Sequence, residues 1–359
     1  MKFFGAIPLV IDERLGVQQV SELSRTPKEQ VYAQIESDLQ DAVATLSWKS
    51  ESSHSGIKGR VDKGAALGLL GKVYLYQEKW SLAAGTLDQI INSNYYSLTA
   101  DYTDIFLKEN ENNAETIFDI EFSADEGGSY GCLICLEGNL TPGYQGIRQY
   151  DGPEYGDGNS YNLPTQDLFD SFEYQDPRRE ATCLHIDNYI AANAPGTTYG
   201  VGAGGHTGFY NNKYIKSRDE MLNGIPDNDL TSGVNYRVIR YADVLLMAAE
   251  ASNEIGDTSN AILHLNTVRD RVGLNLHLID TSQTPWDDIL SAKNAIRELI
   301  YKERRSELSC EGHRFFDLVR TGTASDEING FIAGKHELFP IPQVEIDLAG
   351  GNWPQNPGY

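Results

Sequence analysis

Residues 302–320 read KERRSELSCEGHRFFDLVR, a densely charged stretch that follows a helical apolar pattern. The apolar positions before it recur every three or four residues, at Ile289, Ala292, Ile296 and Ile300. Such spacing predicts a helix with one buried face. Continued at the same spacing, that face reaches Glu303 and Glu307. Burying an unpaired carboxylate is very costly, so we expect each of these glutamates to meet a cation.

Two roles are open for these carboxylates. In the first, they belong to a buried structural ion-pair network that fixes the register of the helix, with the members Glu303, Glu307, Arg304, Arg314 and Arg320. In the second, they form the two-acid centre of a glycosidase, whose general acid needs a raised pKa. Arginines close to a carboxyl group lower its pKa and make it a poor general acid. We therefore expect the structural role and predict that the protein is not an enzyme.

Helical patterns lie on both sides of a long irregular region. In RTPKEQVYAQIESDLQDAVATL, Thr26, Pro27 and Glu29 have the pattern of a helix start. Two helical hairpins with the character of tetratricopeptide repeats follow, around residues 63–93 and 241–274. Gly256 is expected to end the first helix of the second hairpin. The predicted fold class is mainly α, with tetratricopeptide-like helical hairpins forming a platform that carries long irregular loops and short strands.

We predict a single domain over residues 1–359. Helical repeat regions occupy about 27–93 and 236–320, a loop-rich insertion occupies about 95–235, and a C-terminal tail covers 336–359. The insertion is rich in Gly, Tyr, Asn and Asp, and loops of this length are usually functional or disordered. Its density of tyrosine favours an ordered, ligand-binding segment.

Composition limits the classes of ligand. The formal net charge of -23 disfavours nucleic acid and anionic membrane surfaces, because binding to phosphate needs clustered Lys and Arg. Neutral sugars are not disfavoured, and 20 tyrosines and 4 tryptophans supply flat surfaces for stacking. The sequence contains no run of about 18 uncharged apolar residues, and it therefore predicts no membrane span.

The sequence predicts no cofactor, although calcium remains an alternative. Cys132 and Cys135 have CxxC spacing but lie in a strand-like apolar run, so we expect them to pack rather than to hold a metal. The stretch DNDLTSG, residues 227–233, alternates oxygen-bearing side chains as calcium loops do. It lacks the closing Glu and the full spacing of an EF-hand.

Extended to residues 301–322, YKERRSELSCEGHRFFDLVRTG resembles the signature of the SusD/RagB family. Further segments resemble the same family in the same order along the chain: FFGAIPLV, GRVDKGAALGLLGKVYLYQEKW, NLPTQDLFDSFEYQDPRR, YRVIRYADVLLMAAEASNEIGD and LFPIPQVEID. Ser309 and Cys310 stand where the family usually has a small residue and a Phe. Family members begin with a lipoprotein signal and a long segment before the equivalent of Phe3, so we expect the N-terminal part to be missing here.

The resemblance implies a cell-surface, nutrient-binding lipoprotein of the outer membrane in Bacteroidetes-type bacteria. Such proteins serve polysaccharide utilisation by binding oligosaccharides, or peptides in some branches, without cleaving them. They pass the ligand to a SusC-like TonB-dependent transporter. We accordingly expect an oligosaccharide and that transporter as partners, and membrane association only through a lipid anchor that this chain lacks.

For an oligosaccharide, the insertion is the expected binding region. Sugar sites pair aromatic faces with planar polar groups, and residues 127–162 and 195–215 supply both. The candidate ligand-binding residues are Tyr144, Arg148, Tyr150, Asp151, Tyr155 and Tyr210. Each tyrosine has an alternative role in packing its own loop. A peptide-binding member of the family and a tetratricopeptide-like protein-interaction scaffold without a small ligand are the alternative functions.

Overall fold

The computed structural model describes residues 1–11, 14–49, 59–125, 130–131, 137–201, 205–221, 230–271, 279 and 289–359. Its helices are α1 Val17–Glu22, α2 Lys28–Thr45, α3 Lys63–Leu75, α4 Trp80–Ser93, α5 Thr141–Gln145, α6 Gln166–Ser171, α7 Arg178–Thr182, α8 Ile186–Asn193, α9 Arg218–Met221, α10 Tyr241–Glu254, α11 Thr258–Arg269, α12 Ile289–Glu307, α13 Arg314–Arg320, α14 Ala324–Glu327 and α15 Gln343–Leu348. Its strands are β1 Thr116–Ile120, β2 Ile147–Arg148, β3 Asp157–Gly158, β4 Cys183–His185, β5 Phe209–Asn211 and β6 Tyr236–Arg240. The prediction of a mainly α fold with short strands is confirmed.

The chain forms two compact units. The first joins residues 1–45 to residues 313–359, and the second covers residues 46–312. These boundaries differ from the predicted regions, because α2 belongs to the first unit and the hairpin of α3 and α4 to the second.

Packed helices form the core of the second unit. The hairpins α3–α4 and α10–α11 are each closely packed, and α10 also contacts α4 and α12. Residues 241–253 of α10 are all buried, as expected for a helix with neighbours on every side. Gly71 lets α3 approach α4, since a Cβ atom there would lie 2.5 Å from the side chain of Leu87. Small residues therefore set the spacing of the hairpin.

The ends of these helices follow from local chemistry. Asp62 caps α3 by accepting a hydrogen bond from the Ala65 amide at 2.8 Å, and the Tyr96 hydroxyl donates to the same carboxylate at 2.8 Å. Gly256 follows α10 with a φ of 86°, a conformation that glycine adopts without strain. The predicted end of this helix at Gly256 is confirmed.

Short strand pairs connect the loops of the second unit. β1 pairs antiparallel with β6, with Asp119 opposite Arg237 and an irregular register near Phe118. The alternation of apolar and polar residues in ETIFDIEFS, residues 115–123, is typical of a strand and favours the first of these. β4 pairs antiparallel with β5, and β2 pairs in parallel with β3. These pairings hold the loop-rich insertion in place.

In the first unit, Arg25 ties the beginning of the chain to its end. Its guanidinium group donates to the carbonyl oxygens of Phe4 at 2.6 Å and Pro354 at 2.9 Å. It also donates to the side chain of Asn356 at 2.8 Å. Trp353 donates its indole N–H to the carbonyl oxygen of Leu23 at 2.7 Å, so the tail is docked rather than free.

Within the described ranges, we find no helix with the length and the hydropathy that crossing a membrane requires.

Candidate functional site

Glu303 and Glu307 lie buried on α12, with 2% and 0% of their surface exposed. Arg178 on α7 donates Nη1 to Oε1 of Glu303 at 2.6 Å and to Oε2 of Glu307 at 2.8 Å. Arg269, at the end of α11, donates to the other oxygen of Glu303 at 2.6 Å. Both carboxylates are therefore ion-paired and closed to solvent.

Two further arginines contact Glu307. Nη1 of Arg240 and Nη2 of Arg271 donate to its Oε1 at 2.6 Å and 2.8 Å. Burial by itself raises the pKa of this carboxyl group, but the guanidinium groups of Arg271, Arg240 and Arg178 outweigh burial and hold the pKa well below its usual range. A carboxyl group that stays ionised in this way is unsuited to the general acid of a glycosidase. The geometry favours a structural role.

Further buried charges extend this network. Lys213 donates to Glu311 at 2.7 Å, and Glu115 accepts hydrogen bonds at 2.7 Å from both Arg240 and Arg271. At the edge of the network, the half-buried Glu173 also pairs with Arg269, at 3.0 Å. Among the described residues, the buried part of the network has five carboxylates and five cations: Asp176, Glu115, Glu303, Glu307, Glu311, Arg178, Lys213, Arg240, Arg269 and Arg271. Their formal charges cancel, which limits the cost of burying so many ions together.

The network fastens the loop-rich insertion to the helices. Arg178 and Lys213 belong to the insertion, whereas Glu303 and Glu307 belong to α12. The ammonium group of Lys213 donates to the carbonyl oxygen of Glu307 at 3.1 Å and lies over the ring of Tyr102, 5.1 Å from its centroid. Loss of these contacts would release the loops from the platform.

The three arginines that the sequence grouped with these glutamates have other acidic partners: Arg304 pairs with Asp243 at 2.8 Å, Arg314 with Glu327 at 3.0 Å, and Arg320 with Asp317 at 2.9 Å. Arg314 and Arg320 belong to the first unit. Proximity in sequence did not identify these partners, because α12 ends at Glu307 and the chain then turns at Gly312, where φ is 83°.

A hydrogen-bonded loop over residues 143–161 presents aromatic surface to solvent. The parallel pairing of β2 and β3 is extended by backbone hydrogen bonds, among them one of 2.9 Å from the Tyr161 amide to the Tyr144 carbonyl oxygen. The rings of Tyr144 and Tyr161 consequently lie with their centroids 6.0 Å apart. Tyr161 is 62% exposed and Tyr144 is half-buried, so a ligand can reach this pair.

Three of the predicted ligand-binding tyrosines are buried in the apolar core against which the loops pack. Tyr150, Tyr155 and Tyr210 are 3%, 8% and 1% exposed. They belong to a small apolar core with the members Ile147, Tyr150, Tyr155, Leu184, Ile186 and Tyr210. The buried rings of Tyr150 and Tyr210 offer no open face for stacking, because other side chains cover them. For these two residues the structure shows the packing role that the sequence left open.

Asp151 connects the two predicted loops. Its exposed carboxylate accepts hydrogen bonds from the Thr198 amide at 2.7 Å and from the Thr198 hydroxyl at 2.9 Å. These two bonds lower the pKa of Asp151. The Gly200 amide donates to the carbonyl oxygen of Arg148 at 2.6 Å and adds a second connection. In this structure Asp151 therefore holds the 195–200 segment against the loop that carries Arg148.

The two connected loops carry a partly exposed polar and aromatic surface. We call it the loop surface and define it by Tyr144, Arg148, Tyr161, Tyr199 and His206. The Tyr199 hydroxyl lies 3.1 Å from Nε2 of His206, and the buried Tyr210 contacts both of their rings, with centroid separations of 6.5 Å and 6.4 Å. Arg148 is exposed. Exposed aromatic rings beside a guanidinium group and an imidazole can stack on a ligand and donate hydrogen bonds to it.

The backbone beneath the loop surface is locally strained. Four non-glycine residues in a short segment have left-handed φ values: Gln149 at 51°, Glu154 at 68°, Ser160 at 60° and Asn162 at 53°. Such conformations persist only where the surrounding structure enforces them, and they concentrate at ligand sites. Here the hydrogen bonds between β2 and β3 and from residues 159–161 supply that constraint.

Two residues of the loop surface were not singled out from the sequence. Tyr161 lies in the polar run GDGNSYN, and its small polar neighbours were the available signal that its ring is not packed. Tyr199 lies in TTYG, and nothing local distinguishes it from a buried tyrosine. His206 was recognised as part of the second loop, whereas Tyr214 of that loop is 1% exposed and packs in a separate core.

Some predictions fall outside the described residues. Cys132, Cys135 and the beginning of the calcium-like stretch, residues 227–229, belong to this group. Across the part of the chain that is described, no group of three or more His, Cys, Asp or Glu side chains is placed to hold a metal ion.

Family models match two regions of the chain. Residues 114–337 match the model of the SusD family. Residues 1–75 match a SusD-like model described as starch-binding and associating with the outer membrane.

Curated relatives are longer than this chain. A SusD-like protein of Formosa agariphila is 27% identical over 373 residues, and the alignment covers 94% of this chain and 65% of that protein. A SusD-like protein of Bacteroides ovatus is 26% identical over 351 residues, with 89% and 55% covered. This chain thus spans slightly less than two thirds of the first of these relatives.

Solved structures share its fold. A laminarin-binding SusD-like protein has a TM-score of 0.85 and 34% sequence identity, and the match covers 100% of this chain and 75% of that one. Surface glycan-binding protein A of Bacteroides thetaiotaomicron, in complex with laminarihexaose, has a TM-score of 0.82 and 26% identity, with 99% and 74% covered. Since the SusD model alone spans well over half of the residues and the fold agrees along the whole chain, this protein belongs to the SusD family.

Proposed function

We propose that this protein binds a neutral glycan of the laminarin type at the loop surface, without cleaving it. The pair of exposed Tyr161 and half-buried Tyr144 carries the proposal, because it offers aromatic surface to solvent on a backbone that many hydrogen bonds hold in place. The laminarin-binding relative and the relative in complex with laminarihexaose support this class of ligand.

The wider role that we propose is nutrient capture at the outer membrane. In this role the protein passes the bound oligosaccharide to a SusC-like TonB-dependent transporter. The description of the matching model as starch-binding and associating with the outer membrane supports the location. The family to which the chain belongs supports the choice of partner.

The buried network supports binding rather than turnover. Glu307, which a two-acid hydrolysis would need as acid or nucleophile, is closed to solvent and surrounded by three arginines. We expect purified protein to bind laminarihexaose and to release no reducing ends from it over a prolonged incubation. Measurable hydrolysis that is lost in Glu303→Gln would contradict the proposal.

Calorimetry with laminarihexaose tests the site. The double variant Tyr144→Ala/Tyr161→Ala should lose at least 10-fold in affinity, because two stacking contacts of about 1 kcal/mol each are removed. Tyr174→Ala is the matched control, since Tyr174 is 87% exposed but lies outside the loop surface. Equal affinity of all three proteins would exclude the loop surface. Binding of peptides but of no glycan would show instead that the protein is a peptide-binding member of the family.

A further inference from the structure

A cavity of about 390 Å³ lies in the second unit, apart from the loop surface. Its walls come from residues 103 and 106–109, from Glu154 and Tyr155, from Ala181 within α7, from the segment that follows β5 and from Val234. None of the five loop-surface residues lines it. Its volume falls in the lower part of the range of small-molecule sites, roughly 300–1,000 Å³, so it suits a small ligand rather than a polymer.

Two aromatic rings contribute to the walls. Phe106 and Tyr155 are each 8% exposed, and both line the cavity. The ring of Phe106 is held edge-on against Tyr102 and Tyr214, with centroid separations of 5.8 Å and 5.7 Å. Tyr155 packs against Tyr189 with a centroid separation of 4.9 Å. The rings are therefore fixed before a ligand arrives, which reduces the entropy lost on binding.

Polar groups are available beside these rings. The side-chain amide of Asn212 has no hydrogen-bond partner among the described residues, and only its backbone amide is engaged, with Thr182 at 2.9 Å. The carboxylate of Glu154 accepts one hydrogen bond, from the Tyr189 hydroxyl at 2.6 Å, and has further acceptor capacity. The cavity thus offers a free donor, a free acceptor and a carboxylate to a ligand.

The charges around the cavity select against anions. The ammonium group of Lys213 pairs with Glu311 at 2.7 Å, donates to the carbonyl oxygen of Glu307 and lies 5.0 Å from the centroid of the Phe106 ring, so its charge is already balanced within the protein. The remaining charged lining residues are Lys108, Glu109 and Glu154. One lysine and two glutamates give no positive excess for a phosphate or a carboxylate. A neutral ligand with hydroxyl groups and an apolar face fits this lining.

We propose that the cavity is a second carbohydrate subsite, which takes a monosaccharide or disaccharide. A sugar ring stacks on Tyr155 or Phe106, and its hydroxyl groups bond to the Asn212 amide and the Glu154 carboxylate. This inference rests on the proposed function only for the chemical class of the ligand, because the two sites share no residue.

Calorimetry with laminaribiose and with laminarihexaose tests the subsite. Asn212→Ala removes the free amide without breaking a side-chain hydrogen bond of the described chain, and Ala181→Leu fills space beside the cavity. Laminaribiose should bind the wild type and the Tyr144→Ala/Tyr161→Ala variant equally well. Each cavity variant should weaken laminaribiose binding at least 10-fold, while the binding of laminarihexaose to the loop surface remains. Thermal unfolding shows whether each variant is folded, and Asn212→Ala serves alone if Ala181→Leu is not.

The outcomes separate the two proposals. Laminaribiose binding that neither cavity variant weakens, or a wild type that binds laminarihexaose but no laminaribiose, overturns the subsite. Laminaribiose binding that depends on Asn212, with no effect of the double tyrosine variant on laminarihexaose, supports the subsite and contradicts the loop surface. If the wild type binds neither sugar, both proposals fail.

Discussion

At the scale of single residues, Glu307 accepts hydrogen bonds from three arginines that come from different parts of the chain: Arg178 on α7, Arg240 before α10 and Arg271 after α11. Glu303 shares Arg178 with it. The charge of each glutamate is stabilised only when all these segments are folded together, so the pair links the folding of the insertion to that of the helices.

Glu303→Ala should reduce the free energy of unfolding by about 3–5 kcal/mol, because it removes the buried ion pairs with Arg178 and Arg269 and leaves the network with an excess positive charge. Affinity of the folded protein for laminarihexaose should stay the same. Glu298→Ala is the control, since Glu298 lies exposed on the same helix and its loss should change stability by less than about 0.5 kcal/mol. Denaturant titration measures both. Weaker ligand binding at unchanged stability would reverse the assignment of Glu303.

Asp119 gives the protein a pH-dependent stability. It is 4% exposed on β1, and neither carboxylate oxygen has a hydrogen-bond partner among the described residues. Burial raises its pKa to about 7, although Arg237 opposes the shift. The folded state then holds a proton that the unfolded state has already lost above about pH 4. Stability from this group is therefore greatest in acid and falls as the pH rises toward 7.

Asp119→Asn should remove this loss and stabilise the protein at pH 8 by roughly 1–4 kcal/mol, with a smaller effect at pH 5. The neutral amide keeps the shape of the side chain and can accept a hydrogen bond from the unpartnered Nη2 of Arg237. Unfolding curves at pH 5 and pH 8 measure the effect. Asp38→Asn on the exposed side of α2 should change neither curve. A larger stabilising effect at pH 5 than at pH 8 would contradict the assignment.

At the scale of elements, the α3–α4 hairpin and the loop at β2 and β3 show two ways of fixing geometry. The hairpin depends on close packing, with Gly71 against Leu87. The loop depends on backbone hydrogen bonds and on the Asp151–Thr198 contact. We therefore expect the hairpin to be destabilised by added side-chain volume and the loop to be destabilised by the loss of a hydrogen-bond partner.

Gly71→Ala should destabilise the protein by about 1–3 kcal/mol, since its Cβ would lie 2.5 Å from the buried Leu87 side chain. Gly85→Ala in α4 is the matched control. A Cβ atom at Gly85 meets nothing within 4 Å, so the better helix propensity of Ala should stabilise by up to about 1 kcal/mol. Denaturation midpoints measure both. Equal effects of the two substitutions would show that the hairpin is not closely packed at Gly71.

Asp151→Ala should loosen the 195–200 segment. We expect faster hydrogen exchange at the Thr198 amide, which loses its acceptor at 2.7 Å, and several-fold weaker binding of laminarihexaose. Asp170→Ala is the control, because the exposed Asp170 accepts a hydrogen bond only from Gln166 of its own helix, α6, among the bonds found in the described chain, and none from the 195–200 segment. Unchanged exchange at Thr198 would show that the carboxylate does not hold the loop.

At the scale of the whole molecule, the net charge and the buried charges have separate consequences. The formal net charge is -23, whereas the ten residues of the buried network cancel. The acidic excess therefore lies outside that network. Mutual repulsion of like charges destabilises a folded chain and is screened by salt.

The melting temperature should rise when NaCl is increased from about 10 mM to about 200 mM, because the added ions screen that repulsion. Affinity for laminarihexaose should change less than two-fold over the same range, since the sugar is uncharged. Differential scanning calorimetry and titration calorimetry check the two expectations. Affinity that falls steeply with salt would indicate a charged ligand and would contradict the proposed function.

The helical hairpins could be predicted from sequence because their signals are local. The apolar spacing of α12, the capping pattern before α2 and Gly256 after α10 each depend on residues within a few positions of one another. The roles of the loop tyrosines could not be predicted from local sequence. Tyr150 and Tyr161 lie in similar Gly-rich and polar surroundings in the sequence, yet one is 3% exposed and the other 62%.

By itself, the sequence determined the mainly helical fold, the membership of the SusD family and the requirement that Glu303 and Glu307 meet cations. Helical periodicity and the cost of a buried charge are enough for the fold and for the pairing of the glutamates, whereas the family follows from the resemblance of the sequence motifs and from the matching family model. Only the tertiary structure decided which cations these are and which tyrosines face solvent. Arg178 reaches Glu303 across 125 positions of the chain, and a contact of that kind depends on the packing of whole elements, which no local pattern encodes.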